Sequence, residues 1–175
     1  HIYDSILKKK PNFMLWLGDN VYFRETEWES KTGIYNRYTF DRSLNELQPL
    51  LASVNHYAIW DDHDYGPNNS NRSFTGKHIS REAFKDFWAN PSYGINGKGI
   101  TTKFSWSDVD FFLLDNRFFR SPQKRKNTYK EILGDEQLEW LLDALSFSNA
   151  TFKFIVIGGQ VLNSETKYEN YSNWF

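Results

Sequence analysis

The sequence predicts an α/β fold in which short buried strands deliver polar residues to one edge of a sheet. Four apolar runs, Phe13 to Leu17, Tyr57 to Trp60, Val109 to Leu114 and Phe152 to Ile157, have the length of strands. A leucine stripe at helical spacing, Leu138, Leu141, Leu142 and Leu145, precedes the fourth run and gives a β-α-β order. Each run also ends in polar chemistry: Asp19 and Asn20, then Asp61, Asp62, His63 and Asp64, then Asp115, Asn116 and Arg117, then Gly158, Gly159 and Gln160. In open α/β sheets the ligand crevice lies beyond the carboxyl ends of the strands, so these exits can converge on one site.

Taken along the chain, the runs are largely apolar on both faces, Asp110 interrupting the third, which suits a sheet covered on both sides. Leu44, Leu47 and Leu51 mark a helix within Asp41 to Ser53 that Pro49 must kink or end. Ser80 is placed to cap a helix carrying Ala83, Phe84, Phe87 and Trp88, stopped by Asn90 and Pro91. The polar loop Pro67 to Gly76 directly follows the acidic cluster and reads as a site wall. Gly94, Gly97 and Gly99 open a turn that leads into an edge strand or hairpin ending near Ser107. Asp135 reads as the N-cap of the leucine-striped helix. Nothing divides residues 1–175, so a single domain is expected.

Composition narrows the function classes. With 21 Lys+Arg against 22 Asp+Glu in 175 residues, there is no basic footprint for sequence-independent nucleic-acid binding; Lys124, Arg125 and Lys126 read as a solvated loop. No apolar run approaches the roughly 20 residues of a membrane span. The chain has no cysteine, which removes disulfides and thiolate chemistry. Aromatic residues make up 18%, and filling a core between layers is their first reading, ahead of lining a cleft.

The chemistry concentrates in two stretches. Trp60-Asp61-Asp62-His63-Asp64 crowds three carboxylates and an imidazole at one strand exit. Adjacent carboxylates repel by several kcal/mol at an effective dielectric of about 20, and a bound cation reverses that sign; the alternative is a solvated acidic turn. In Gly18-Asp19-Asn20-Val21-Tyr22 the glycine permits a tight exit, Asp19 can ligate or bridge a hard cation, and the Tyr22 phenol can reach the same point. A phenolate forms at neutral pH only beside a strong Lewis acid such as Fe³⁺; otherwise Tyr22 is a hydrogen-bonded phenol.

The ordered series Lys10-Pro11-Asn12, Leu17-Gly18-Asp19-Asn20-Val21-Tyr22, Trp60-Asp61-Asp62-His63-Asp64, Leu114-Asp115-Asn116-Arg117-Phe118-Phe119-Arg120 and Leu133-Gly134-Asp135-Glu136-Gln137-Leu138-Glu139-Trp140-Leu141 resembles the PhoD-like alkaline phosphatases of the calcineurin-like metallophosphoesterase superfamily. The resemblance implies a four-layer αββα sandwich with a dinuclear metal centre at the strand exits. It places Asp19 as the bridging ligand, Tyr22 on an iron-like site and Asp62 as a further ligand. His63 becomes a general acid or charge stabiliser with Asp64 orienting its ring, both counted as catalytic. Asn69 is a candidate metal contact, and Asp61 stands behind the ligands. Arg117 and Arg120, together with Asp115, can clamp a phosphate, or an Asp-Arg pair can tie the loop to the sheet. His56 reads as structural, His78 as a surface-loop histidine ahead of one that reaches a phosphate, and Gln160 as a residue behind the ligands.

The resemblance further implies Fe³⁺ with Ca²⁺, while residue chemistry alone allows Mn²⁺, Mg²⁺ or Zn²⁺ at the second position. It places the opening metal motif before residue 1 and the closing ligands after residue 175, so the chain is expected to be the central portion of the sandwich, holding few metals alone. The expected activity is hydrolysis of a phosphate monoester or diester, with a phosphate ester as partner and an extracytoplasmic location. The rival reading is a non-catalytic, calcium-stabilised, aromatic-rich module that holds carbohydrate or protein. It needs neither Tyr22 nor His63.

Overall fold

The computed structural model describes residues 2–126, 129–163 and 169–171. Strand β1 (Phe13–Leu17) pairs in parallel with β2 (Asn55–Ile59), Leu15 opposite Tyr57 and Leu17 opposite Ile59. In a second sheet β4 (Val109–Leu113) lies between β3 (Thr102–Trp106), to which it is antiparallel, and β5 (Phe152–Val156), to which it is parallel. All four apolar runs are therefore strands, and the glycine-rich turn does lead into an edge strand. Boundaries differ by a residue or two. The second strand starts at Asn55 and leaves Trp60 outside, where the chain turns into the acidic loop. Leu114 also falls outside its strand although its N–H still reaches the Val156 carbonyl at 2.8 Å.

The aromatic residues fill the space between the sheets, as their core reading anticipates. Phe13 meets Phe104, Trp106 and Phe111 with ring centroids 5.5 Å away, and Tyr57 stacks on Phe104 at 3.9 Å. Phe104, Phe111 and Phe154 are register partners and stack in a row across the three strands, at 4.7 and 5.3 Å. Each such pair adds about 0.5–1.5 kcal/mol beyond area burial. Because strand residues alternate, Trp16 points to the other face of β1, lies 5.4 Å from Trp88, and donates its indole N–H to His56 Nδ1 at 2.9 Å. His56 Nε2 then faces the Leu50 carbonyl at 3.1 Å, a structural role for this histidine.

The helices are α1 (Ile2–Lys8), α2 (Lys31–Arg42), α3 (Gln48–Leu51), α4 (Asp62–Tyr65), α5 (Lys77–Phe87) and α6 (Asp135–Phe147). No helix among the described residues is long and apolar enough to cross a membrane. Helix α2 has no counterpart in the sequence reading. It buries only Ile34 and Tyr38, one helical turn apart, and is held by Ser30, whose Oγ accepts from Gly33 N at 3.1 Å, and by Tyr38 stacking on Phe87 at 4.6 Å. The expected helix across Asp41 to Ser53 is instead the end of α2 and a separate single turn. Pro49 sits in the first turn of α3, where its missing N–H costs nothing.

Two caps are also corrected. Ser80 lies inside α5, its hydroxyl donating to the Tyr65 carbonyl at 2.7 Å, and Gly76 is the cap. Gly134, at φ 74°, caps α6, with Asp135 as the first helical residue. Asn90 follows α5 and pairs both its amide groups with Ala58, accepting from N at 2.9 Å and donating to O at 2.8 Å, as a neighbouring strand would.

Cover on both faces holds for β4 but not for β5: Phe152, Phe154 and Ile155 are 61%, 53% and 51% exposed. Leu141 of the leucine stripe is buried, while Leu138 and Leu142 are half exposed.

Asp110, the charge inside β4, is no misfit. Its carboxylate pairs with Lys103 Nζ at 2.8 Å and accepts from Ser105 Oγ and Ser148 Oγ, both at 2.5 Å. These partners pull its pKa down to about 2 from 3.8. A depressed acid contributes stability that is present above the unfolded value and lost as pH falls through the folded one. Asp110→Asn is therefore expected to be less stable at neutral pH and to show a shallower decline between about pH 4 and pH 2. Urea midpoints measured across that window check this, and parallel curves for both proteins would refute it.

Candidate metal centre

The exits of β1 and β2 approach so closely that only glycine fits. A Cβ on Gly18, which sits at φ 100°, would stand 2.8 Å from the Asp61 Cβ. Asp19 follows in the left-handed region at φ 50°, a conformation that aspartate tolerates better than most residues. The backward turn points the Asp19 carboxylate at α4: Oδ1 accepts the His63 N–H at 3.3 Å and Oδ2 accepts the Tyr22 hydroxyl at 3.2 Å. Asp62 is buried, its Oδ2 accepting Asn69 N–H at 2.6 Å and its Oδ1 lying 4.0 Å from His63 Nε2. The Tyr22 ring stacks on the His63 imidazole at 4.4 Å.

Asp19, Asp62 and His63 each offer a ligand atom, all within 4.8 Å of one another. This fits a cation held by the two carboxylates, with the imidazole beside them: their oxygens are hard donors, and the hydrogen bonds they accept leave lone pairs on both. Burial, then the charges of Asp62 and Asp61, raise the pKa of Asp19. Burial and Asp19 likewise raise that of Tyr22. Burial leads both shifts, and the neighbouring carboxylates add negative charge that an ion would relieve.

Asp64 does not orient the His63 ring. It is fully buried, and its carboxylate accepts Asn20 N–H at 2.8 Å, Val21 N–H at 3.1 Å and Asp61 N–H at 3.0 Å, stitching the two strand exits together. Burial pushes it up to about 8 against the pull of these amides. The ring is positioned by Tyr22 instead.

A cavity of about 310 Å³ opens on the acidic cluster, lined by Asp19, Asp61, Asp62, His63, Asn68, Asn69, Arg117, Arg120, Gly159, Gln160, Glu169, Asn170 and Tyr171. Asn69, at φ 61°, is in place, its backbone N–H rather than its side chain holding Asp62. Arg117 and Arg120 reach the cavity, yet neither is a bare clamp. Arg117 Nε donates to Asp61 Oδ1 at 2.5 Å, and its Nη1 lies 2.9 Å from Glu169 Oε2. Arg120 Nη2 lies 2.8 Å from Glu169 Oε1. Asp61, which also accepts from Asn116 Nδ2 at 2.9 Å, is thus committed to Arg117.

Asp115 is the knot behind the site: Oδ1 accepts from Trp60 Nε1, Arg117 N and Phe118 N, and Oδ2 from Ile100 N. His78 is an exposed residue of α5, edge-on to Phe118, away from the cluster. Glu169 and Tyr171 escape the sequence reading, since no motif or periodicity marks either.

Fold and site together define a mixed α/β protein with an acidic, cation-fitting centre at the exits of parallel strands. A family model described as PhoD-like phosphatase matches residues 1–173, and the chain belongs to that family. A solved structure described as the structure of PhoD matches with a TM-score of 0.73 at 22% identity, over 87% of this chain and 37% of that one, a likeness of fold. The chain thus spans a little over a third of the length of that solved relative. No curated protein matches.

Proposed function

We propose that this chain carries the acidic half of a dinuclear, metal-dependent phosphoric-ester hydrolase. The observation that carries the reading is the meeting of Asp19, Asp62 and His63 within 4.8 Å at the strand exits, in a chain of the PhoD-like phosphatase family. In this reading Asp19, Tyr22 and Asp62 would hold the ions, with Asn69 beside them. Fe³⁺ would suit the Tyr22 phenol and Ca²⁺ the carboxylates. They would supply positive charge against the phosphoryl oxygens and make the attacking water more acidic.

The remaining work falls to the chain's own groups. Arg117 and Arg120, held in place by Asp61 and Glu169, hold the substrate phosphate at the mouth of the cavity. His63, braced by Tyr22, delivers a proton from Nε2 to the leaving oxygen. Asp64 fixes the loops that carry these residues. The stack of Tyr22 on His63 supports this reading over a plain calcium module, which needs neither. The facing aromatic sheets, with helices beyond them, support a four-layer αββα sandwich in a single domain.

The test is metal analysis and phosphate-ester turnover on the intact protein. Asp19→Ala and Asp62→Ala are each expected to lose bound metal and to lower kcat/KM by at least about 10²-fold, the scale of several kcal/mol of lost charge stabilisation. Tyr22→Phe should abolish any visible iron-phenolate band. An intact protein that holds no metal and turns over no phosphate ester would end this reading.

A further inference from the structure

We propose that the Tyr171 hydroxyl is a substrate-binding group of this centre, donating a hydrogen bond to a phosphoryl oxygen held beside Arg117 and Arg120. The proposal rests on the phosphatase reading above and adds to it a residue that no motif points to.

Tyr171 is tied to the exit of β5. Its N–H donates to the Gln160 carbonyl at 3.0 Å, and the preceding Asn170 forms a parallel bridge with Gln160. Gly159, at φ 77°, lies beside the ring, its Cβ position 4.0 Å from Tyr171 Cε2, an ordinary van der Waals contact. The ring is thereby fixed in the wall of the cavity that Asp19, Asp62, His63, Arg117 and Arg120 also line.

The hydroxyl is buried and has no hydrogen-bond partner among the described residues. Native structures rarely leave such a group unpaired, because its desolvation is then uncompensated. Tyr22 donates to Asp19 and Tyr65 to the Asn71 carbonyl at 3.2 Å, while the Tyr38 hydroxyl, also unpaired among the described residues, lies within the hydrophobic core. Tyr171 lines this cavity and a more apolar one beside Ile132, Leu133 and Leu138, and the polar one offers room for a partner. The neighbours of Tyr171 decide which. Arg120 and Arg117 act electrostatically on the phenol, opposed by Asp61 and Asp115, and the two guanidiniums are the neighbours that favour an anion. Burial holds the phenol above its ordinary pKa, so it stays protonated and available as a donor in neutral and mildly alkaline solution. Glu169, 2.9 Å from Arg117 and 2.8 Å from Arg120, sets the spacing of the guanidiniums without supplying an acceptor to Tyr171. A tetrahedral phosphate between the arginines offers the acceptor the hydroxyl needs.

The experiment compares wild type and Tyr171→Phe as intact proteins, with inorganic phosphate as the probe. Phosphate affinity is read by calorimetry and by competitive inhibition of ester turnover, and thermal unfolding is followed without phosphate. The variant is expected to bind phosphate about tenfold more weakly, the usual scale for losing one hydrogen bond to a charged acceptor. Its unfolding temperature should be equal to or above that of wild type, because the deleted hydroxyl has no protein partner. A purely structural hydroxyl would give the opposite pair, a lower unfolding temperature with unchanged phosphate affinity, and would overturn the proposal. If wild type turns over phosphate esters while the variant matches it in affinity and rate, this inference falls and the phosphatase reading stands. If wild type neither binds phosphate nor turns over any ester, both fall.

Discussion

His63→Ala is expected to lower kcat of the intact protein by roughly 10²-fold or more with its fold intact, the scale on which general acids contribute. The separation of the two effects follows from how the residue is held. Its backbone belongs to α4, where its N–H meets Asp19 and its carbonyl receives Phe23 N–H at 3.5 Å, and alanine keeps both contacts. What alanine removes is the imidazole, which lines the cavity with its Nε2 4.0 Å from Asp62 Oδ1. The Tyr22 ring loses a stacking partner but is already 56% exposed, so little burial is lost. KM should change less than kcat, because in the proposed reading the arginines rather than the imidazole hold the phosphate. Unchanged turnover on several phosphate esters would remove His63 from the mechanism.

The parts of this centre legible in the sequence are those carried by local spacing. Gly18-Asp19 follows β1 directly and Asp62-His63 follows β2 after Trp60 and Asp61, and strand runs are set by short-range apolar patterning, so the convergence of Asp19, Tyr22, Asp62 and His63 is legible without coordinates. Asp64 was misread for a reason equally local. Beside His63 in sequence, it looks like the residue that should orient the ring, yet the first turn of α4 swings its carboxylate back to the amides of Asn20, Val21 and Asp61. Arg117 and Arg120 were placed at the site, but their counter-charge Glu169 lies about 50 residues downstream and was invisible. Helix α2 failed for want of amphipathic signal: two buried residues among Thr, Gly, Asn and aromatic side chains make a helix only because α5 lies against it.

Asp115→Ala is expected to cost the fold at least about 3 kcal/mol, more than any substitution in the cavity wall. The carboxylate is 0% exposed and satisfies four donors that come from three separate parts of the chain. Trp60 Nε1 at 2.8 Å, Arg117 N at 2.9 Å and Phe118 N at 2.9 Å share Oδ1, while Ile100 N reaches Oδ2 at 3.0 Å. Alanine leaves all of them buried without an acceptor, and each unsatisfied donor costs about 1–3 kcal/mol before any relaxation or water entry. Gly99 makes the packing tighter still, since a Cβ there would stand 2.6 Å from Asp115 Oδ2 and φ is 67°. Asp115→Asn separates acceptor from charge. With its amide oxygen in the Oδ1 position it keeps the three donors there, and only Ile100 N–H then faces an NH₂ group, so a loss of about 1–2 kcal/mol is expected. Because Trp60 leads into Asp61 and Arg117 grips Asp61, the alanine variant should also loosen the cavity and weaken phosphate binding, whereas the asparagine variant should preserve it. Urea unfolding of the three proteins gives the order; an alanine variant within 1 kcal/mol of wild type would show that this knot is not what holds the strand exits together.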